Sequence, residues 1–320
     1  MFAGALATAA LIGPPAHAAA LDCGKAQRPH DKTICADPTL HQLDQDLAAA
    51  YARLADVASD AGRAQVARDE RDRRTFAQER CTASDVACLT AAYRQGVSSV
   101  AKFADLPSSA VLIPVEHFRI GPASQKDPGY RASVQLAFPR LDRPIEPWSD
   151  QFETAARQTA ERLLPDDVAT DALVDYRPTF IAPDLVAVAF DTWTYPDHAA
   201  HGMGQQVAFN YLPAQQRTLH AADLFQSGTT WSGFLAERAF AGLQAQAASG
   251  GWSLSVSGPG ELEAAVADPA NWQIHPDGLG LYFAPTTVGP YVAGEHAVLV
   301  PWADLKPYLV EQPAFKIPGL

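Results

Sequence analysis

The sequence predicts a multidomain protein: a small disulfide-bridged all-α domain first, then an α+β domain with a mostly antiparallel sheet. Three observations carry this. All four cysteines, Cys23, Cys35, Cys81 and Cys88, fall within one stretch of 66 residues. Apolar spacings of three and four govern the chain up to about residue 100, and period-two alternation replaces them after Leu106-Pro107. Charge divides at the same place: residues 1–104 carry 12 basic and 12 acidic residues, whereas residues 105–320 carry 12 and 24. The formal net charge of −12 therefore lies wholly in the second region.

With 320 residues, 48% of them hydrophobic and 19% charged, the chain is too apolar for disorder and long enough for two cores. The acidic excess argues against neutralising phosphates, so neither nucleic acid nor an anionic membrane is an expected partner, and a basic protein suits it better. Residues 1–20, MFAGALATAALIGPPAHAAA, are small and apolar and end in A-x-A sites at Ala16–Ala18 and Ala18–Ala20, the pattern of a secretory signal. No Lys or Arg precedes Lys25, so the usual basic start of such a signal is missing. Asp22 before Cys23 does not suit lipid attachment. No later stretch reaches the ~18 apolar residues of a membrane span. The expected organisation is a signal over 1–20, a helical domain over 21–104 and an α+β domain over 105–320, exported and soluble in the periplasm.

In the helical domain, Leu40, Leu43, Leu47, Tyr51, Leu54 and Val57 mark one helix. It opens after Asp37-Pro38, a capping residue followed by the proline favoured at the first helical position. A charge-rich helix is expected over about 64–79, and a third, capped by Ser84, carries Leu89, Tyr93, Val97 and Val100. Four cysteines in an exported segment read as two disulfides, since no C-x-x-C pair supports zinc. Three pairings are possible. Cys35 and Cys81 are centred on residue 58, beside the breaker-like 58–62 segment, so a hairpin turning there favours Cys35–Cys81 and leaves Cys23 for Cys88. Closing that long loop is worth about 4 kcal/mol in the chain-entropy model.

Beyond a linker near 104–114, alternation at Val134, Leu136 and Phe138 predicts a strand, and the apolar run Leu185 to Phe190 a central one. Val207, Phe209 and Tyr211, then Leu279, Leu281 and Phe283, continue the pattern. Helices intervene near 149–164, with a stripe of Phe152, Ala156, Ala160 and Leu163, and near 231–248.

Signatures of catalysis are sparse. His198-x-x-His201 beside Asp197 offers metal-ligand chemistry, but on a turn rather than the helix of H-E-x-x-H sites, and no Glu follows the first His. Solvated turn histidines are the simpler reading. Gly202-Met203-Gly204 lacks a third glycine and precedes a strand, unlike a dinucleotide loop. Asp166-Asp167 offers a carboxylate pair, better read as a solvated loop. No G-x-S-x-G elbow is present, and every cysteine is assigned. Arg68, Arg71, Arg73, Arg74 and Arg80, interleaved with acids, describe an exposed, salt-bridge-laced helix face or a cationic binding face. Trp193, Tyr195, Trp252 and Trp272 are either core or interface anchors. No cofactor or metal is expected.

Two resemblances bring these residues together. The run Asp22-Cys23, Ala26, Thr33-Ile34-Cys35-Ala36-Asp37-Pro38, Leu40, Leu43-Asp44, Leu47, Tyr51, Arg80-Cys81 and Cys88-Leu89 with Tyr93 resembles the N-terminal domain of LprI-type lysozyme inhibitors, with Phe76 where that family usually has Trp. His201-Gly202, Val207 to Tyr211, Leu219 to Phe225, Gly278-Leu279, Leu281-Tyr282-Phe283, Val288-Gly289-Pro290-Tyr291, Gly294 and Val298 to Pro301 are similar to the extracellular domain of RsiV-type anti-sigma factors. That family's Gly-Gly-Ala-His turn appears here as His198-Ala199-Ala200-His201. Both resemblances imply non-catalytic binding of lysozyme, so lysozyme or another basic muramidase is the expected partner. The candidate binding residues are Arg71 and Arg74 of the basic helix with His201 and Tyr291. An envelope enzyme acting on peptidoglycan, or an envelope scaffold or sensor, are the alternatives.

Overall fold

The computed structural model describes residues 20–103, 111–123, 131–143 and 145–320. Nearly all of the expected signal and residues 104–110 of the expected linker lie outside them. The chain divides into two compact units, residues 1–104 and 105–320. No helix among the described residues is long and apolar enough to cross a membrane.

Among the described residues the first unit has four α-helices, one more than expected: α1 (Pro29–Ala36), α2 (Pro38–Val57), α3 (Asp60–Arg80) and α4 (Val86–Ala101). Asp37 ends α1 and caps α2, its carboxylate accepting from the Thr39 and Leu40 amides at 2.9 Å each. The α2 stripe packs inward through Leu40, Leu47, Tyr51 and Leu54, while Val57 at its end is exposed. Ser59 caps α3, and Asp85, not Ser84, caps α4 by accepting from Cys88 N at 2.9 Å.

The nested disulfide pairing is wrong. The bridges are Cys23–Cys35 and Cys81–Cys88, each between neighbours in sequence. The hairpin does form and does bring Cys81 to the end of the unit that holds α1, where its carbonyl lies 2.8 Å from His30 Nε2. But α1 folds Cys35 back against Cys23, and the five residues between α3 and α4 place Cys81 and Cys88 across one turn, with Cα atoms 5.7 Å apart. Each sulfur therefore has its partner close by in sequence. By the same chain-entropy reasoning these bridges are worth about 3 and about 2.5 kcal/mol.

The second unit is α+β. Six strands, β1 (Val111–Ala123), β2 (Arg131–Arg143), β3 (Thr170–Ala182), β4 (Leu185–Pro196), β5 (Met203–Leu212) and β6 (Arg217–Thr218), lie in sequence order. All neighbours are antiparallel except β2 and β3, which run parallel. The helix α5 (Ser149–Arg162) supplies the crossover that a parallel pair requires. Its stripe Phe152, Ala156 and Ala160 is fully buried, and Phe152 meets the Phe209 and Tyr211 rings. Val111 already opens β1, so the expected linker runs four residues too far. Pro114 misleads there, because an edge strand such as β1 tolerates proline.

A second, three-stranded antiparallel sheet follows: β7 (Trp272–Ile274), β8 (Gly278–Phe283) and β9 (His296–Pro301). It packs with α6 (Trp231–Gly250) around Trp272, Leu281, Leu243 and Leu235. Gly251, at φ 68°, ends α6 in the left-handed conformation that glycine adopts without penalty. The short helices α7 (Glu263–Ala267) and α8 (Trp302–Leu305) complete the unit.

Candidate interaction surface

β4 and β5 pair from Val186↔Tyr211 to Thr194↔Met203, and the turn between them carries the two histidines. Trp193 and Tyr195, two residues apart on β4, share a face, and their rings stack with centroids 5.8 Å apart and planes 6° apart. The Trp193 indole lies over Gly202 so closely that a Cβ there would sit 2.5 Å from the ring. Tyr195 Oη donates to Ala199 O at 2.8 Å and ties down the turn, whose His198 adopts φ 61°.

The Gly202 carbonyl is the pin of this region. It accepts from Tyr291 Oη at 2.6 Å. His201 Nδ1 lies 3.1 Å from the same oxygen, so that nitrogen carries the proton. The His201 and Tyr291 rings stack with centroids 4.1 Å apart. Two candidate residues 90 positions apart thus meet on one carbonyl. Trp193 is 42% exposed, Met203 and Tyr291 41%, and Val292 90%. Carboxylates border them: Asp197 contacts His198 at 3.5 Å, and Glu295, exposed, accepts from Gln206 Nε2 at 3.0 Å. Gln206 accepts in turn from Arg177 and Gln273. Burial and the Glu295 charge push the nearby Tyr282 hydroxyl well up, so it stays neutral at physiological pH.

The other candidates fall elsewhere. Arg71 is an exposed side chain on α3. Arg74 is only 16% exposed and is committed to Asp44 and Glu70, so it is not offered to a partner. The expected exposed face of α3 is half a core face: Asp69, Glu70 and Arg73 are buried, with Arg73 Nε donating to Tyr51 Oη at 3.0 Å. Burial alone lowers the Arg74 guanidinium, but Asp44, Tyr93 and Glu70 together raise it above its ordinary value. Burial pushes the Tyr93 hydroxyl up to about 12. Helical periodicity does not separate the two faces of α3, because charges line both.

Among the aromatic candidates, Trp272 is core and donates to Val266 O at 2.7 Å, and Trp252 stacks on His296 at 4.4 Å. Asp166 and Asp167 are exposed, the latter accepting from Ala169 N at 2.9 Å. No group of three or more His, Cys, Asp or Glu side chains among the described residues is arranged to hold a metal ion.

Residues 222–303 match the model of a family described as "Protein of unknown function (DUF3298)". That segment contains Tyr291, Val292 and Glu295 but not the β4–β5 turn. Among solved structures the chain is similar to a DUF3298 family member from Bacteroides fragilis, at 12% identity and a TM-score of 0.46 over 64% of this chain and 95% of that one. It is similar also to a DUF3298 family protein from Pseudomonas aeruginosa, at 15% identity and 0.47 over 68% and 99%. No curated protein matches the chain.

Proposed function

We propose that this is an exported, non-catalytic binding protein that captures lysozyme or a similar basic muramidase through the aromatic surface of its α+β unit, shielding peptidoglycan. The observation that carries the reading is the cluster of exposed Trp193, His201 and Tyr291 gathered on Gly202, with half-buried Tyr195 stacked on Trp193. Exposed Trp and Tyr held rigidly give contact area at little entropic cost, and such residues dominate interface energetics. The rim of Asp197 and Glu295 and the acidic charge of this unit favour a basic partner and faster encounter at low salt. The likeness of residues 201–301 to RsiV-type extracellular domains and of residues 22–103 to LprI-type inhibitors points to the same ligand.

Calorimetric titration of the protein with chicken-type lysozyme at low and physiological salt tests the reading. Saturable binding that weakens with salt is expected, with Tyr291→Ala or Trp193→Ala losing about 30-fold in affinity. Gly202→Ala, which drives a methyl into the Trp193 ring, is expected to lose as much without removing any contact side chain. Absence of heat with every lysozyme class, or binding indifferent to all three variants, overturns it.

A further inference from the structure

Asp44, on α2, has a wholly buried side chain. Its Oδ1 accepts from Arg74, and its Oδ2 accepts from the backbone nitrogen of Leu21 at 2.6 Å, across 23 residues of sequence. Leu21 is held there by a short 3₁₀ turn at Cys23–Lys25, capped by Asp22, and by the Cys23–Cys35 bridge. The peptide bond before Leu21 is the one that follows the second A-x-A site, Ala18-Ala19-Ala20.

We infer that processing cleaves the Ala20–Leu21 bond and that the new α-ammonium of Leu21 forms a part-buried ion pair with Asp44, so that removing the leader completes the charge network of the helical unit. Hydrolysis adds the water oxygen to the Ala20 carbonyl carbon, which leaves as a carboxylate. The Leu21 nitrogen departs as an amine and takes up a proton near neutral pH, since an ordinary α-amine titrates at about 8. Before cleavage this nitrogen is a neutral amide with one proton. Afterwards it is a cation with three, and its bond to a carboxylate becomes charge-assisted on both sides, roughly twice as strong as a neutral one. Cleavage at the earlier site, after Ala18, leaves the amide uncharged.

The charged and titratable groups near Asp44 include Arg74 and Glu70 from α3, Tyr93 from α4 and, acting on Tyr93, Asp31 from α1 with its partner Arg28; Asp22, paired with Lys25, follows Leu21 directly. Tyr93 stays neutral below about 12, so the new amine is the group here that titrates between about pH 7 and 10. The pairing raises its folded value above its unfolded one. Its stabilisation is therefore complete below about pH 8 and lost as pH rises through the raised folded value.

The inference rests on residues 1–20 being an export leader, and not on lysozyme binding. The full chain is expressed in an exporting bacterium, and the N-terminus of the periplasmic protein is read by intact mass and N-terminal sequencing. A start at Leu21 is expected. Its thermal midpoint is then compared, from about pH 6 to 10, with that of protein starting at Ala19, each with and without Asp44→Asn. The Leu21 form is expected to melt about 4 °C higher near neutral pH, with the gap closing towards about pH 10 and abolished by Asp44→Asn. If the Asp44→Asn proteins do not fold, the pH dependence of the gap in the unmutated pair decides alone. A start at Ala19, or a gap that does not vary with pH, overturns the ion pair and leaves the leader reading standing. An exported chain that keeps residues 1–20 overturns both.

Discussion

Buried carboxylates in the two units meet different donors at the sites where their partners are seen. In the helical unit a guanidinium serves the buried carboxylates: Arg74 is shared between Asp44 and Glu70, each with a side chain fully enclosed. In the α+β unit, hydroxyl and amide donors reach two of the buried carboxylates. Asp171 accepts from the Ser133 amide and hydroxyl at 2.7 and 2.6 Å, and Asp175 from the Tyr176 amide at 2.8 Å. The cores differ too. The larger unit encloses Trp272, Tyr176, Tyr211, Phe138, Phe152, Phe190, Phe209, Phe225 and Phe283 and holds no cysteine. The smaller buries leucine, alanine and valine with Ile34, Tyr51, Phe76, Tyr93 and Phe103, and adds two bridges. A smaller unit buries a smaller share of its surface, so covalent and ionic links weigh more in its stability.

That contrast breaks if perturbing the links does not single out the helical unit. Arg74→Met should have the largest effect, about 3–5 kcal/mol, because it removes the guanidinium that two buried carboxylates share. Denaturant unfolding measures it, and hydrogen exchange should place the loss in residues 29–101. Reduction of the bridges should follow, at about 3 and 2.5 kcal/mol for Cys23–Cys35 and Cys81–Cys88. Exchange that quickens equally in residues 131–317 would defeat the distinction.

Acid sharpens the comparison from the other side. Burial lowers the proton affinity of both His275 and His296, and His296 Nε2 is enclosed without a hydrogen-bond partner. Their folded values lie below the ordinary one near 6.5, so the stability they allow the α+β unit is intact above that pH. It declines as pH falls through about 6.5 towards the folded values, because only the unfolded state takes up the proton freely. His296→Gln should flatten that decline between about pH 7 and 5. The smallest effect belongs to Asp223, which accepts from Arg217 through both oxygens at 2.7 Å. Arg217 holds its carboxyl below the ordinary carboxylate value. Asp223→Asn should cost less than about 1 kcal/mol near neutral pH, since Arg217 is partly exposed. The difference from the unmutated protein should close as pH falls below about 4 through the lowered folded value.

What could be read from the sequence follows the range of the interactions. The Asp37-Pro38 start of α2, the Phe152 stripe of α5 and the apolar run of β4 are local patterns, and each appears where its period places it. The helix α1 is hidden by its eight residues, too few to show a periodic face. The nested bridges fail because symmetry about the hairpin locates Cys81 near α1 but says nothing of the two turns that reach the sulfurs first. In the surface cluster, the spacing of Trp193 and Tyr195 on one strand is legible. The meeting of His201 with Tyr291 is not, since it depends on how the loop after β8 closes over the β4–β5 turn.

The order of the bridges bears on how such a chain acquires them. Paired consecutively, 23 with 35 and 81 with 88, the cysteines suit a polypeptide that emerges amino end first into an oxidising compartment. At synthesis rates of about 5–20 residues per second, Cys35 appears roughly 2–9 s before Cys81. An oxidant that joins each thiol to the one before it therefore writes the native pattern at first pass, and no shuffling enzyme is required to correct it.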